Sequence, residues 1–190
     1  RNLEIAAGTA DTVNAIDVTS TGLWLDEIEF NDNTADENFF VAVDAAGTTD
    51  AEVTGLKITR SRFITADTLV QQFVRLAADV SKFVFSGNLF ISEGAGAEAP
   101  IECATGKDLK LCLVTYNYIL HKNTSGNLFI SNDTASPNNS GIVAHNRVGH
   151  GDVTTGHILG VVGGCRMFDN LSVSTDALSG FVIPAIDVDS

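Results

Sequence analysis

Phe83-Val84-Phe85-Ser86-Gly87-Asn88-Leu89-Phe90 is the first full copy of a phrase that the chain repeats. It returns as Leu113-Val114-Thr115-Tyr116-Asn117-Tyr118-Ile119, as Ile142-Val143-Ala144-His145-Asn146-Arg147-Val148, and as Arg166-Met167-Phe168-Asp169-Asn170-Leu171-Ser172. Each copy is a short strand-like run, an asparagine, and a second run. The asparagines follow one another at 29, 29 and 24 residues, a period that signals stacked repeats.

Counting from each asparagine extends the register towards the N-terminus. Ser61 and Ile28 take the asparagine's place in Lys57-Ile58-Thr59-Arg60-Ser61-Arg62-Phe63 and Trp24-Leu25-Asp26-Glu27-Ile28-Glu29-Phe30. Three columns then read almost entirely apolar. Five residues before the asparagine stand Leu23, Leu56, Phe83, Cys112, Gly141 and Cys165. Three before it stand Leu25, Ile58, Phe85, Val114, Val143 and Met167. Two after it stand Phe30, Phe63, Phe90, Ile119, Val148 and Ser172. The first two alternate with the residues between them at the strand period of two, so these columns form the inside.

A further strand is expected in each repeat after a variable loop: Phe39 to Asp44, Phe73 to Ala77, Pro100 to Ala104, Leu128 to Ser131, His157 to Val162 and Phe181 to Ala185. A weaker opening repeat is expected at Leu3 to Ile5 and Ala15 to Val18. The expectation is a single all-β domain over 1–190, a solenoid of six repeats and a seventh weaker one. Strands this short bury a face only by stacking.

The apolar columns and inward asparagines resemble the right-handed, single-stranded parallel β-helix of the pectin lyase-like families. That resemblance implies an asparagine ladder, with Asn88, Asn117, Asn146 and Asn170 hydrogen-bonding between successive coils. Ser61 would take part in it partially and Ile28 not at all. The fold is shared by enzymes, adhesins and viral surface proteins, so it does not name an activity.

Composition narrows the partners. The 190 residues carry 24 acidic and 11 basic side chains, a formal net charge of -13. Such a surface disfavours nucleic acid and anionic membranes. No apolar run approaches the roughly 20 residues that span a bilayer, so membrane insertion is not expected. The chain begins at Arg1 with no initiator Met or signal-peptide pattern, and is read as a piece of a longer chain. Cys103, Cys112 and Cys165 show no zinc-ligand spacing. Cys112 and Cys165, two repeats apart in one column, are placed about 10 Å apart, too far for a disulfide. They are read as buried, reduced thiols.

Outward rows hold the candidate sites. Arg75 and Glu102 are expected as neighbours in a row Ala42, Arg75, Glu102, Phe129, where a base beside a cation suits lyase chemistry and Phe129 offers a ring for a sugar. Tyr116, His145 and Asp169, each just before an asparagine, form a second row suited to a glycan; His145 is also a candidate base oriented by Asp169. His121 and His150, with Asp152 and His157 nearby, are the nearest approach to a metal site, although no metal or other cofactor is expected. No pair of carboxyls stands at glycosidase spacing. Sequons at Asn123, Asn132, Asn138 and Asn170 are read as chance matches in an Asn-rich chain.

Val84, Leu113 and Ile142, between Lys57 and Arg166, form an outward aliphatic stripe, larger than a monomer usually leaves in water. Either a loop of the same chain covers it or it is the candidate subunit interface, for which the viral resemblance implies a homotrimer. The expected function is a non-enzymatic bacteriophage surface protein, tail fibre or tailspike, made in the host cytoplasm and working on the virion surface. Its expected partners are other virion proteins and host-cell polysaccharide. The alternatives are a polysaccharide lyase or glycosidase of the same fold, and a secreted bacterial adhesin or passenger domain.

Overall fold

The structure is a computed structural model, and it describes residues 3–6, 15–19, 21–32, 41–45, 51–65, 72–92, 100–104, 106–121, 130–132, 139–150 and 164–174. The described residues form strands without a helix, and every strand pairing among them is parallel. Four sheets result, an arrangement compatible with a parallel β-solenoid.

The sheet before the asparagines joins Trp24–Asp26, Lys57–Thr59, Val84–Ser86, Cys112–Thr115, Gly141–Ala144 and Cys165–Phe168. The sheet after them joins Leu3–Ala6, Ile28–Asp32, Arg62–Thr65, Leu89–Ser92, Tyr118–His121, Arg147–His150 and Leu171–Ser174. In both, each strand pairs with its counterpart in the neighbouring repeat, as the parallel order requires. Leu25, Ile58, Phe85, Val114, Val143 and Met167 are successive partners. So are Phe30, Phe63, Phe90, Ile119, Val148 and Ser172. The columns counted from the asparagines are therefore the columns of the folded protein.

The third sheet joins Ile16–Asp17, Val41–Asp44, Gln72–Leu76, Ile101–Cys103 and Ile130–Asn132. Its strands match the expected further strands up to Ser131; the expected strands at 157–162 and 181–185 lie outside the described residues. Its register differs from the expectation. Arg75 faces Glu102, but Arg75 is partnered on its other side by Asp44 rather than Ala42. Glu102 is partnered by Ser131 rather than by a residue at Phe129, which itself lies outside the described residues. Arg75, Glu102 and Ser131 all stand 14 residues after Ser61, Asn88 and Asn117, so a uniform count leads to Ser131 and not to Phe129; Asp44 stands 16 after Ile28, and there the spacing itself changes. A fourth, short sheet of Val53–Thr54, Val80–Ser81 and Leu109–Lys110 was not anticipated. Strands of two residues are too brief to show a period.

Inward residues of all four sheets meet in one apolar cluster. Its axis is a file of rings: Phe30 stacks on Phe63 at 4.8 Å, and Phe63 on Phe90 at 4.6 Å. That spacing equals the separation of neighbouring strands in a sheet, so parallel register by itself brings the rings into contact. Phe73 of the third sheet meets Phe63 and Phe90 edge-on, at 5.6 and 5.0 Å. Phe63, flanked on both sides and fully buried, is the centre of this file. Phe63→Ala is expected to destabilise the fold by about 3–5 kcal/mol, read as a lowered midpoint in urea unfolding.

Candidate functional site

The turn between the first two sheets is built the same way in every described repeat. The residue before the asparagine position adopts a left-handed conformation: Glu27, Arg60, Gly87, Tyr116, His145 and Asp169 have φ between 50° and 69°. Left-handed backbone is uncommon for residues other than glycine, so the turn needs compensation. Part of it is a backbone bond to the next repeat, as Tyr116 N–H donates to Ala144 O and His145 N–H to Phe168 O.

The rest comes from the asparagines. Asn88, Asn117 and Asn146 are buried. The Oδ1 of Asn117 accepts the N–H of Asn88 at 2.9 Å and the Asn88 Nδ2–H at 3.1 Å. Asn146 Oδ1 takes the same two donors from Asn117, and Asn170 Oδ1 takes them from Asn146. Each Nδ2 also donates to a backbone carbonyl of the preceding repeat: Ile58, Phe85, Val114 and Val143 in turn. At the other end Ser61 N–H donates to Asn88 Oδ1, while Ser61 Oγ accepts from Ile28 N–H at 3.2 Å. Ser61 thus performs half of the asparagine's task, and Ile28 only donates to it through its backbone.

Because the left-handed residue precedes an inward asparagine, its own side chain turns outward. Tyr116 is 65% exposed. Its ring stacks on that of His145 at 4.8 Å and 11°, and His145 meets Phe168 edge-on at 5.5 Å. Phe168 is itself exposed, as are Tyr118 and Leu171 across the turn. The expected row is therefore brought together and widened by Phe168. A signal for Phe168 was present: its position, two before the asparagine, is elsewhere filled by Asp26, Thr59, Ser86, Thr115 and Ala144, so an aromatic there is out of pattern.

His145 Nδ1 and Asp169 Oδ2 lie 3.8 Å apart, with Asp169 largely in solvent. That is an ion-pair distance for a protonated imidazole and too long for the hydrogen bond that would orient a base.

The second candidate row reads Asp17, Asp44, Arg75, Glu102 and Ser131 in register. Val74, Leu76, Ile101 and Cys103 between these positions are buried, whereas Arg75 and Glu102 are half-buried and Asp17 is exposed. His121 and His150 are register partners; Asp152 and His157 lie outside the described residues. Among the described residues no three metal-ligating side chains gather. Nor is any described helix long and apolar enough to cross a membrane.

The stripe Val84, Leu113, Ile142 is a run of direct register partners, continued by Lys57 on one side and Arg166 on the other. Leu113 is exposed, and Val84 and Ile142 are half-buried. Beyond Lys57 the row ends at Trp24, over whose ring the Lys57 Nζ lies at 5.9 Å.

No protein-family model, curated protein or solved structure matches this chain.

The amide network and the exposed ring cluster separate by substitution. Asn117→Ala removes the acceptor of two buried donors and is expected to cost at least about 2 kcal/mol. His145→Ala, at the surface, is expected to stay within about 1 kcal/mol of the parent. Urea unfolding of the two variants side by side checks this.

Proposed function

We propose that the chain is a right-handed, single-stranded parallel β-helix of six to seven coils, tied by an asparagine ladder, and that it serves as a non-enzymatic surface protein recognising glycans. The viral setting, a bacteriophage tail fibre or tailspike on the virion surface, rests on the resemblance of the repeat to such proteins. The recognition role rests on the exposed Tyr116–His145–Phe168 cluster. Stacked and edge-on rings offer apolar faces to the C–H side of a sugar, while Asp169, beside them, supplies acceptors for its hydroxyls. The strongly negative surface favours neutral or cationic glycans over polyanionic ones.

A second reading, a glycoside hydrolase of the same fold, gains from the corrected register of the third sheet. Asp44 and Glu102 flank Arg75, two strand steps of roughly 4.8 Å apart. Two acidic positions thus share one row on either side of a cation, as a two-carboxyl hydrolase requires. One experiment separates the readings. Glycan-array binding is expected to find a ligand whose affinity falls about tenfold in Tyr116→Ala, with no shortening of that polysaccharide on incubation. Shortening that disappears in Glu102→Gln would overturn the non-enzymatic reading in favour of the hydrolase. Binding unchanged in Tyr116→Ala would remove the ring cluster from recognition.

Self-association, as a homotrimer or with other virion proteins, is the proposed use of the Val84–Leu113–Ile142 stripe. Its support is three aliphatic side chains aligned on an outward row, with cations only at its ends. Light scattering is expected to give a trimer mass for the parent and a monomer mass for Leu113→Glu; a parent monomer would end this reading.

A further inference from the structure

Cys112 and Cys165 are both register partners of Gly141, one on each side of it. Gly141 has φ +142°, and a Cβ at this position would come within 2.2 Å of the Cys112 carbonyl oxygen, 2.5 Å of its backbone nitrogen and 2.6 Å of its Sγ. The space a side chain would fill is instead taken by the backbone and the sulfur of Cys112. Cys112 Sγ and Cys165 Sγ meet over the glycine at 3.5 Å, although their backbones are two strand steps of roughly 4.8 Å apart. The expected placement two strand steps apart holds for the backbones, and both thiols are free; the sulfurs themselves are in contact.

These two distances select the chemistry. A disulfide needs Cα atoms no more than about 6.8 Å apart, so direct oxidation would have to draw two strands together through the one between them. An atom bonded to both sulfurs at about 2.3 Å spans the 3.5 Å gap at an angle of about 100°, close to pyramidal or tetrahedral geometry, with the backbone left in place. We propose that Cys112 and Cys165 form a dithiol site for a soft, thiophilic centre, a trivalent arsenical or a cation such as cadmium, bridging the two sulfurs across Gly141. Cys165 is only partly buried, which leaves a side for entry. The contact between the two thiols draws Cys112 below the ordinary thiol range and pushes Cys165 above it. Cys103 is buried in the third sheet, and burial raises its thiol to about 12. It takes no part.

Reaction with an organic arsenoxide is redox-neutral. Two As–S bonds form, the bonding of arsenic to its oxygen is lost, and that oxygen leaves as water with the two thiol protons. The test incubates the folded chain with phenylarsine oxide and reads its intact mass. One arsenical per chain is expected, retained in excess glutathione and released by dithiothreitol, because only a dithiol competes with a two-sulfur clasp. Cys103→Ser is expected to keep the adduct, and Cys112→Ser and Cys165→Ser to lose it. Cys112→Ala and Cys165→Ala, with circular dichroism matched to the parent, cover a serine variant that fails to fold. No glutathione-resistant adduct on the parent, or one that survives in either Cys112 or Cys165 variant, would overturn the site. Oxidised glutathione is expected to give no Cys112–Cys165 disulfide in the folded chain, and finding one would overturn the distance argument.

Discussion

Everything in this structure depends on how a buried turn is kept in register. A parallel sheet that bends at the same place in every repeat leaves backbone donors and acceptors at the bend without ladder partners, and buried polar groups must be paired. The amide of Asn117 meets this need in two directions, donating to Phe85 O behind it and accepting from Asn88 while bonding Asn146 ahead. An amide has both donors and an acceptor, so it can pass the pairing along. A one-residue slip in any strand would send its inward residues to the solvent face and break this chain at the same point. The polar column and the phenylalanine file thus enforce the same register by unrelated forces.

The surface features follow from that turn. The asparagine points in and the next strand begins at once, so the residue before it takes a left-handed conformation and its side chain is turned out. A position that would favour glycine on backbone grounds, as at Gly87, carries Tyr116, His145 and Asp169 in the following repeats. Glu27 and Arg60 hold the same conformation in earlier repeats, so the strain belongs to the turn itself, whichever side chain it presents.

At Gly141 the repeat is broken in another way. Where earlier repeats place Leu56 or Phe83 in the core, this one has no side chain, and the Cys112 and Cys165 sulfurs on either side of it meet. Glycine here serves the close approach of neighbours as well as its own backbone. Removing one side chain from a stacked column does not leave a void; it brings together residues from repeats that otherwise never touch.

Much of the fold was legible in the sequence, because stacking turns a three-dimensional column into a fixed offset from a marker residue. The apolar columns, the outward stripe and the pairing of Arg75 with Glu102 all follow from counting, and Ser61 could be recognised as a partial stand-in for asparagine by its single hydroxyl. Counting failed where the spacing changes, as between Ile28 and Asp44, which displaced one partner of Arg75; Ser131 keeps the 14-residue offset of Arg75 and Glu102, and a uniform count reaches it. It also had no means of reading direction. Offsets place backbones, and they do not say that the Cys112 and Cys165 sulfurs lean over a glycine or that Phe168 turns its edge to His145. By itself the sequence determined which residues share a column, since hydrogen-bonded strands must repeat along the chain. Only the tertiary structure decided which side chains meet across and between columns, because that depends on the space their neighbours leave empty.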